Sequence, residues 1–140
     1  MSIIEKTCHF VEQKLAGDGS GHDWWHIYRV WNLAKVIAKQ EGANSHIVEL
    51  SALLHDIADW KFYDGDDTKG PRMAEQFLLE NKVAREVIDP VVEIVATISY
   101  KGAGVATPMR TIEGKVVQDA DRLDAIGAMG IARTFAYGGH

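Results

Sequence analysis

The run Leu50-Ser-Ala-Leu-Leu-His-Asp-Ile-Ala58 constrains this chain more than any other segment, because it sets a carboxylate among apolar residues. Leu50, Leu53, Leu54 and Ile57 recur at helical spacing, which places the adjacent pair His55-Asp56 on or beside the buried face of a helix through Ile57. An unpaired charge in such a setting costs several kcal/mol or more, so Asp56 requires a partner. A metal cation is one such partner, and it also accepts a neutral imidazole. His26 and Asp121 stand in comparable settings. His26 falls one turn before Val30 and two before Leu33, and Asp121 lies between Val116-Val117 and Leu123 and Ile126, so both border the core by that pattern. Two imidazoles and two carboxylates form a mixed nitrogen and oxygen set. It excludes a structural Cys-type zinc site and suits Mn, Fe, Co, Ni or Zn, with positions left for water or a phosphate oxygen.

The rest of the chain reads as helix. Ser2 followed by Glu5 resembles a capping box ahead of Ile3, Ile4, Phe10, Val11 and Leu15. Asp23 is placed to cap a second helix running to about Glu41, with Gly42 as its stop. Asn44 or Ser45 opens the third. Pro71 suits the first turn of a fourth, which ends near Asn81. A fifth region, 83–99, is expected to break at Pro90, with Asp89 as a cap. Thr111 starts a last long segment containing Val116, Val117, Leu123, Ile126, Met129 and Ile131. Segments 17–21 and 102–108 read as loops. Period-two alternation is rare, so the expected fold is all-α, a single-domain bundle of five to seven helices over 1–140.

Composition narrows the function classes. At 140 residues the chain is one domain, and a chain of this size buries roughly 68–70% of its unfolded surface without staples. Cys8 is the only cysteine, so no intrachain disulfide forms; with no signal-like apolar region at the start, this suits a cytoplasmic protein. No apolar run approaches the ~18 residues needed to span a membrane. The net charge of −5, with both signs interspersed, argues against a nucleic-acid surface but leaves room for a single nucleotide held by local cations. The apolar terminal segment raises the expectation of a homodimer.

The strings around the four residues carry a resemblance. His22-Asp-Trp-Trp-His-Ile-Tyr-Arg-Val30, Leu53-Leu-His-Asp-Ile-Ala-Asp59 and Gln118-Asp-Ala-Asp-Arg-Leu-Asp-Ala-Ile-Gly127 together resemble the H…HD…D signature of the HD-domain superfamily of metal-dependent phosphohydrolases. Within it the chain is similar to a small bacterial subgroup that includes nucleoside-triphosphate pyrophosphohydrolases. The resemblance implies an HD-type helical bundle and one divalent ion (Mn, Co, Ni, Fe, Zn or Mg) held by His26, His55, Asp56 and Asp121. It implies hydrolysis of a phosphoester or phosphoanhydride in a small phosphorylated substrate, expected to be a nucleotide. Relatives often carry Glu where this chain has Asp59, assigned to activate or orient water, and Asp64 matches a further acidic position of nucleotidase members. Arg29, Lys61, Lys101 and Arg122 are the candidate phosphate contacts, and Trp24, Trp25, Trp60 or Phe62 the candidate lining of a base or sugar pocket. Relatives usually continue beyond the Tyr137-Gly-Gly139 position, and the stop just after an apolar helix reads either as a true end or as a truncation that leaves out a core element.

Plainer readings stand beside these. Asp59 can simply end its helix, and Asp64-Gly65 is a common turn pair. Each of the four cations can be a solvated or structural charge, and the tryptophans mostly core. Asp56 and Asp121 can be salt-bridge partners of Arg29 or Arg122. Asp124, on the same face as Asp121, either supports it or lies at the surface. At the level of function, the alternative to an enzyme is a metal- and nucleotide-binding regulatory module without turnover.

Overall fold

Most helices begin or end where the sequence supplies a cap. The computed structural model describes residues 1–16, 24–57, 68–99 and 109–138, with backbone alone at 99 and 127–138. Among these residues there are six helices and no strand. The Ser2 hydroxyl accepts from the Glu5 amide at 3.1 Å, the N-cap half of a capping box, and lies 3.4 Å from the Glu5 carboxylate where α1 (Ile3–Ala16) opens. α2 (Trp24–Glu41) closes on Gly42, whose φ of +69° lets the Ala43 amide return to the Ala38 carbonyl at 3.0 Å. The Asn44 side-chain oxygen accepts from His46 and Ile47 amides at 3.0 and 3.2 Å and starts α3 (Ser45–Leu54). α4 (Lys69–Glu80) carries Pro71 in its first turn, where a missing N–H costs little. α5 (Arg85–Ser99) follows, and Thr111 Oγ1, accepting from the Gly114 amide at 3.0 Å, caps α6 (Ile112–Gly138).

α3 is the hub. It packs against α1, α2, α5 and α6, and Leu50, Ala52, Leu53 and Leu54 have no exposure at all. A helix apolar nearly all round is stable only when enclosed, and each such leucine contributes roughly 1.5–3 kcal/mol of burial. α2 lies along α3 and α6, while α4 pairs with α5 on α3's other side. Phe10 of α1 stacks on Phe77 of α4 at 4.2 Å. The first turn of α6 is tied at two points. Arg110 donates to both Glu93 oxygens of α5 at 2.7 and 2.6 Å, and Glu113 accepts from the Asn44 amide at 3.0 Å. Gly114 permits the close approach of Met109, whose sulfur would lie 2.3 Å from a Cβ there. These ties hold the start of α6 against α5 and the turn before α3.

Several boundaries and faces differ from the sequence reading. α3 ends at Leu54 rather than Ile57: the His55 ring bonds the Ala52 carbonyl at 2.6 Å, and the Ile57 amide reaches only Leu54 at 3.5 Å. His55-Asp56 therefore occupies the turn leaving the helix. Pro90 does not break α5, because Ile88, Val91, Ile94, Val95 and Ile98 bury both halves as one stripe. Asp89 is not a cap but pairs with Arg85 at 3.0 Å, one turn earlier. α5 begins at Arg85 rather than position 83, since Lys82 and Val83 complete the C-terminal closure of α4 by bonding Leu79 and Leu78 carbonyls. Leu123 and Ile126 are 49% and 64% exposed, and Trp25 is 63% exposed, so these three are not core.

Lys82 occupies the left-handed position of that closure, with φ of 60°. A side chain there is strained by about 1–2 kcal/mol, against which glycine loses up to ~1 kcal/mol of chain entropy. Lys82→Gly is expected to raise stability by up to about 1 kcal/mol, read as a higher urea midpoint at unchanged slope. A lowered midpoint would contradict the strained-cap account.

Candidate metal centre

Three helices deliver the candidate ligands to one place. His26 comes from the first turn of α2, His55 and Asp56 from the turn leaving α3, and Asp121 from the third turn of α6. One ligand atom from each of His26, His55 and Asp56 lies within 4.8 Å of the others, and the two rings are 6.0 Å apart between centroids. Asp121 Oδ1 stands 3.2 Å from His26 Nε2 and 3.6 Å from His55 Nε2. All four residues singled out as ligands in the sequence are thus brought together.

The two imidazoles share a pattern. His55 Nδ1 faces the Ala52 carbonyl at 2.6 Å. A carbonyl can only accept, so Nδ1 carries a proton and, in the neutral ring, Nε2 keeps its lone pair. His26 Nδ1 faces Asp124 Oδ2 at 2.8 Å and likewise donates. Both Nε2 atoms turn toward Asp121. The His55 side chain is only 2% exposed, and its Nε2 is buried without a hydrogen-bond partner among the described residues. The 3.6 Å contact with Asp121 is too long to be a hydrogen bond. An orphaned buried nitrogen costs about 1–3 kcal/mol. A divalent ion ligated by Nε2 removes that cost, so this donor set fits a metal.

Electrostatics point the same way. The Asp121 carboxylate beside its ring raises the pKa of His26, burial opposes this, and Asp124 adds to the rise. The Arg29 guanidinium holds Asp124 below the usual carboxylate range, against burial and with help from His26. Arg29 Nε donates to Asp124 Oδ1 at 2.7 Å and Arg29 Nη2 to Oδ2 at 3.3 Å. Arg29, expected among the phosphate contacts, is therefore placed on a carboxylate. Arg122 is exposed. Asp59, Lys61, Asp64 and Lys101 lie outside the described residues, as do His22, Asp23, Trp60 and Phe62. Asp124 is the residue whose part the sequence reading left open. Its signal was its position three after Asp121, matched by Arg29 three after His26, two one-turn pairs on facing helices.

The comparisons with known proteins agree with this geometry. The HD domain family matches residues 24–126, a span that includes all four candidate ligands. The chain belongs to the HD domain family. The uncharacterized protein YpgQ of Bacillus subtilis is 43% identical over 136 residues, 96% of this chain and 66% of that protein. A solved HD-superfamily hydrolase from Bacillus thuringiensis is 48% identical with a TM-score of 0.74, covering 97% of this chain and 64% of its own. The structure of B. subtilis YpgQ in complex with ADP has a TM-score of 0.68 at 39% identity, covering 97% and 65%. The chain thus spans just under two thirds of the length of these relatives. Among the described residues no helix is long and apolar enough to cross a membrane.

The raised pKa of His26 has a stability consequence. Without metal, its contribution is fully present below the ordinary imidazole value and is lost as pH rises through the raised folded value. In a chelator, the excess stability of the parent over His26→Gln is expected to be largest below the ordinary imidazole value and to shrink as pH rises above it. A divalent ion takes the place of the proton, so in excess metal the difference should instead grow with pH. Thermal melts of both proteins under both conditions check this. A difference independent of pH in the chelator would contradict it.

Proposed function

We propose that this protein is a metal-dependent phosphohydrolase acting on nucleotides or related phosphoesters, with release of pyrophosphate from nucleoside triphosphates as its specific reaction. The observation that carries the reading is the buried Nε2 of His55, which has no hydrogen-bond partner among the described residues, within a cluster of His26, Asp56 and Asp121. Membership of the HD domain family and the ADP held by YpgQ support it.

His26, His55, Asp56 and Asp121 are the residues to hold the ion. When bound, a divalent cation supplies Lewis-acid polarisation and a nucleophile at neutral pH. The protein's own residues do the rest. Asp121 and Asp56 supply negative charge that two neutral imidazoles lack, and the closed face of α3 behind His55 excludes water from that side. Asp59 and Asp64 are proposed to orient and deprotonate the attacking water, and Lys61, Lys101 and Arg122 to balance phosphate charge. Arg29, which grips Asp124 and is half exposed, is proposed to join them in balancing phosphate charge.

The test is a panel of nucleoside mono-, di- and triphosphates with Mn, Mg, Co and Ni, reading phosphate and pyrophosphate separately. Pyrophosphate from triphosphates is the expected result, with His55→Ala and Asp56→Ala each reducing turnover by at least about a hundredfold, the scale of losing a key electrostatic group. Purified protein that takes up no divalent ion would sink the proposal. Metal uptake with silence across the whole panel would leave a regulatory binding module in its place.

A further inference from the structure

The interior of the site contains a four-residue chain that the ligand set alone does not explain: Asp121, His26, Asp124 and Arg29. His26 Nδ1 is 2.8 Å from Asp124 Oδ2, and Arg29 Nε is 2.7 Å from Asp124 Oδ1. The Asp124 side chain is only 11% exposed. We infer that Asp124, oriented by Arg29, is a positioning residue that selects which nitrogen of His26 faces the ion. The inference rests on the metal-centre reading above.

A neutral imidazole carries one proton. With Asp124 accepting at Nδ1, that proton is fixed there and Nε2 is left as a ligand atom. His55 reaches the same state through the Ala52 carbonyl, a backbone group that no substitution removes. His26 depends on a side chain for it, and that side chain depends on Arg29. Both carboxylate oxygens are engaged, one mainly by the guanidinium and the other by the ring. Arg29 is then read as part of the metal apparatus.

This arrangement makes an unusual prediction for Asp124→Asn. The carboxamide has one oxygen, and the charged guanidinium claims it ahead of a neutral imidazole. The amide NH2 is then turned toward His26 Nδ1, which must accept. The ring proton moves to Nε2 and blocks ligation. Removing Arg29 frees the carboxamide to rotate and offer its oxygen to the ring again. Arg29→Leu should therefore weaken metal binding in the parent but strengthen it in the Asp124→Asn background. A purely structural role for the pair gives no such reversal of sign.

The experiment titrates Co2+ into parent, Asp124→Asn, Arg29→Leu and the double variant, reading the dissociation constant from the ligand-field absorption. A 15N spectrum of the Zn2+-loaded proteins reports which His26 nitrogen bears hydrogen. Asp124→Asn is isosteric and Arg29 is half exposed, so the variants retain the fold, which circular dichroism verifies. Expected are an affinity loss of about 10–100-fold for Asp124→Asn, a protonated Nδ1 in the parent, and a double variant that binds more tightly than Asp124→Asn. If the parent binds and Asp124→Asn binds equally well, or the double variant is weaker still, the positioning role is wrong while the metal centre stands. A parent that binds no Co2+ removes both.

Discussion

A buried imidazole nitrogen that no group of the described chain satisfies is the constraint on which the rest of this structure turns. His55 stands at the end of the stretch 50–54, every residue of which is fully buried. The side chain at its C-terminal end bonds back to Ala52, and this directs Nε2 outward from the helix axis toward α2 and α6. The geometry of the turn, not of the helix, lets the adjacent Asp56 join the same cluster. Neighbouring residues within a helix point about 100° apart; leaving the helix relaxes that separation.

The other two helices complete the arrangement from opposite chemical sides. α2 brings an imidazole and α6 a carboxylate, and the contacts of Arg110 with Glu93 and of Glu113 with Asn44 hold the start of α6 against α5 and the turn before α3. Sites carried on packed helices hold their geometry better than sites on loops. In the metal-free protein Asp121 raises the pKa of His26, burial opposes the rise and Asp124 adds to it. Asp121, proposed as a ligand to the ion, is thus also the group that most raises the basicity of the ring that must lose its proton to bind it. Metal affinity and proton affinity compete at one nitrogen.

Much of this was legible in the residues. The helical spacing of Leu50, Leu53 and Leu54 placed the His-Asp pair at the border of the core, where His55 is buried and Asp56 half-buried, and the capping residues Ser2, Asn44 and Thr111 marked helix starts to within a residue. What escaped were outcomes decided by tertiary contact. Pro90 was expected to break α5, but a continuous buried stripe on both sides of it outweighs one lost hydrogen bond. Leu123 and Ile126 have core composition and lie at the surface, because Val116, Val117 and Ala120 already fill the inward face of α6. The pairing of Arg29 with Asp124 was not legible, since nothing in a sequence announces that a carboxylate nearly a hundred residues later meets it at 2.7 Å.

The central claim is tested most directly by an anomalous difference map from Mn2+-loaded crystals of this protein. The account predicts one peak at about 2.0–2.3 Å from the Nε2 atoms of His26 and His55, with oxygens of Asp56 and Asp121 completing the protein ligands. A map with no peak there, or with His55 Nε2 hydrogen-bonded to another group of the chain, would contradict it.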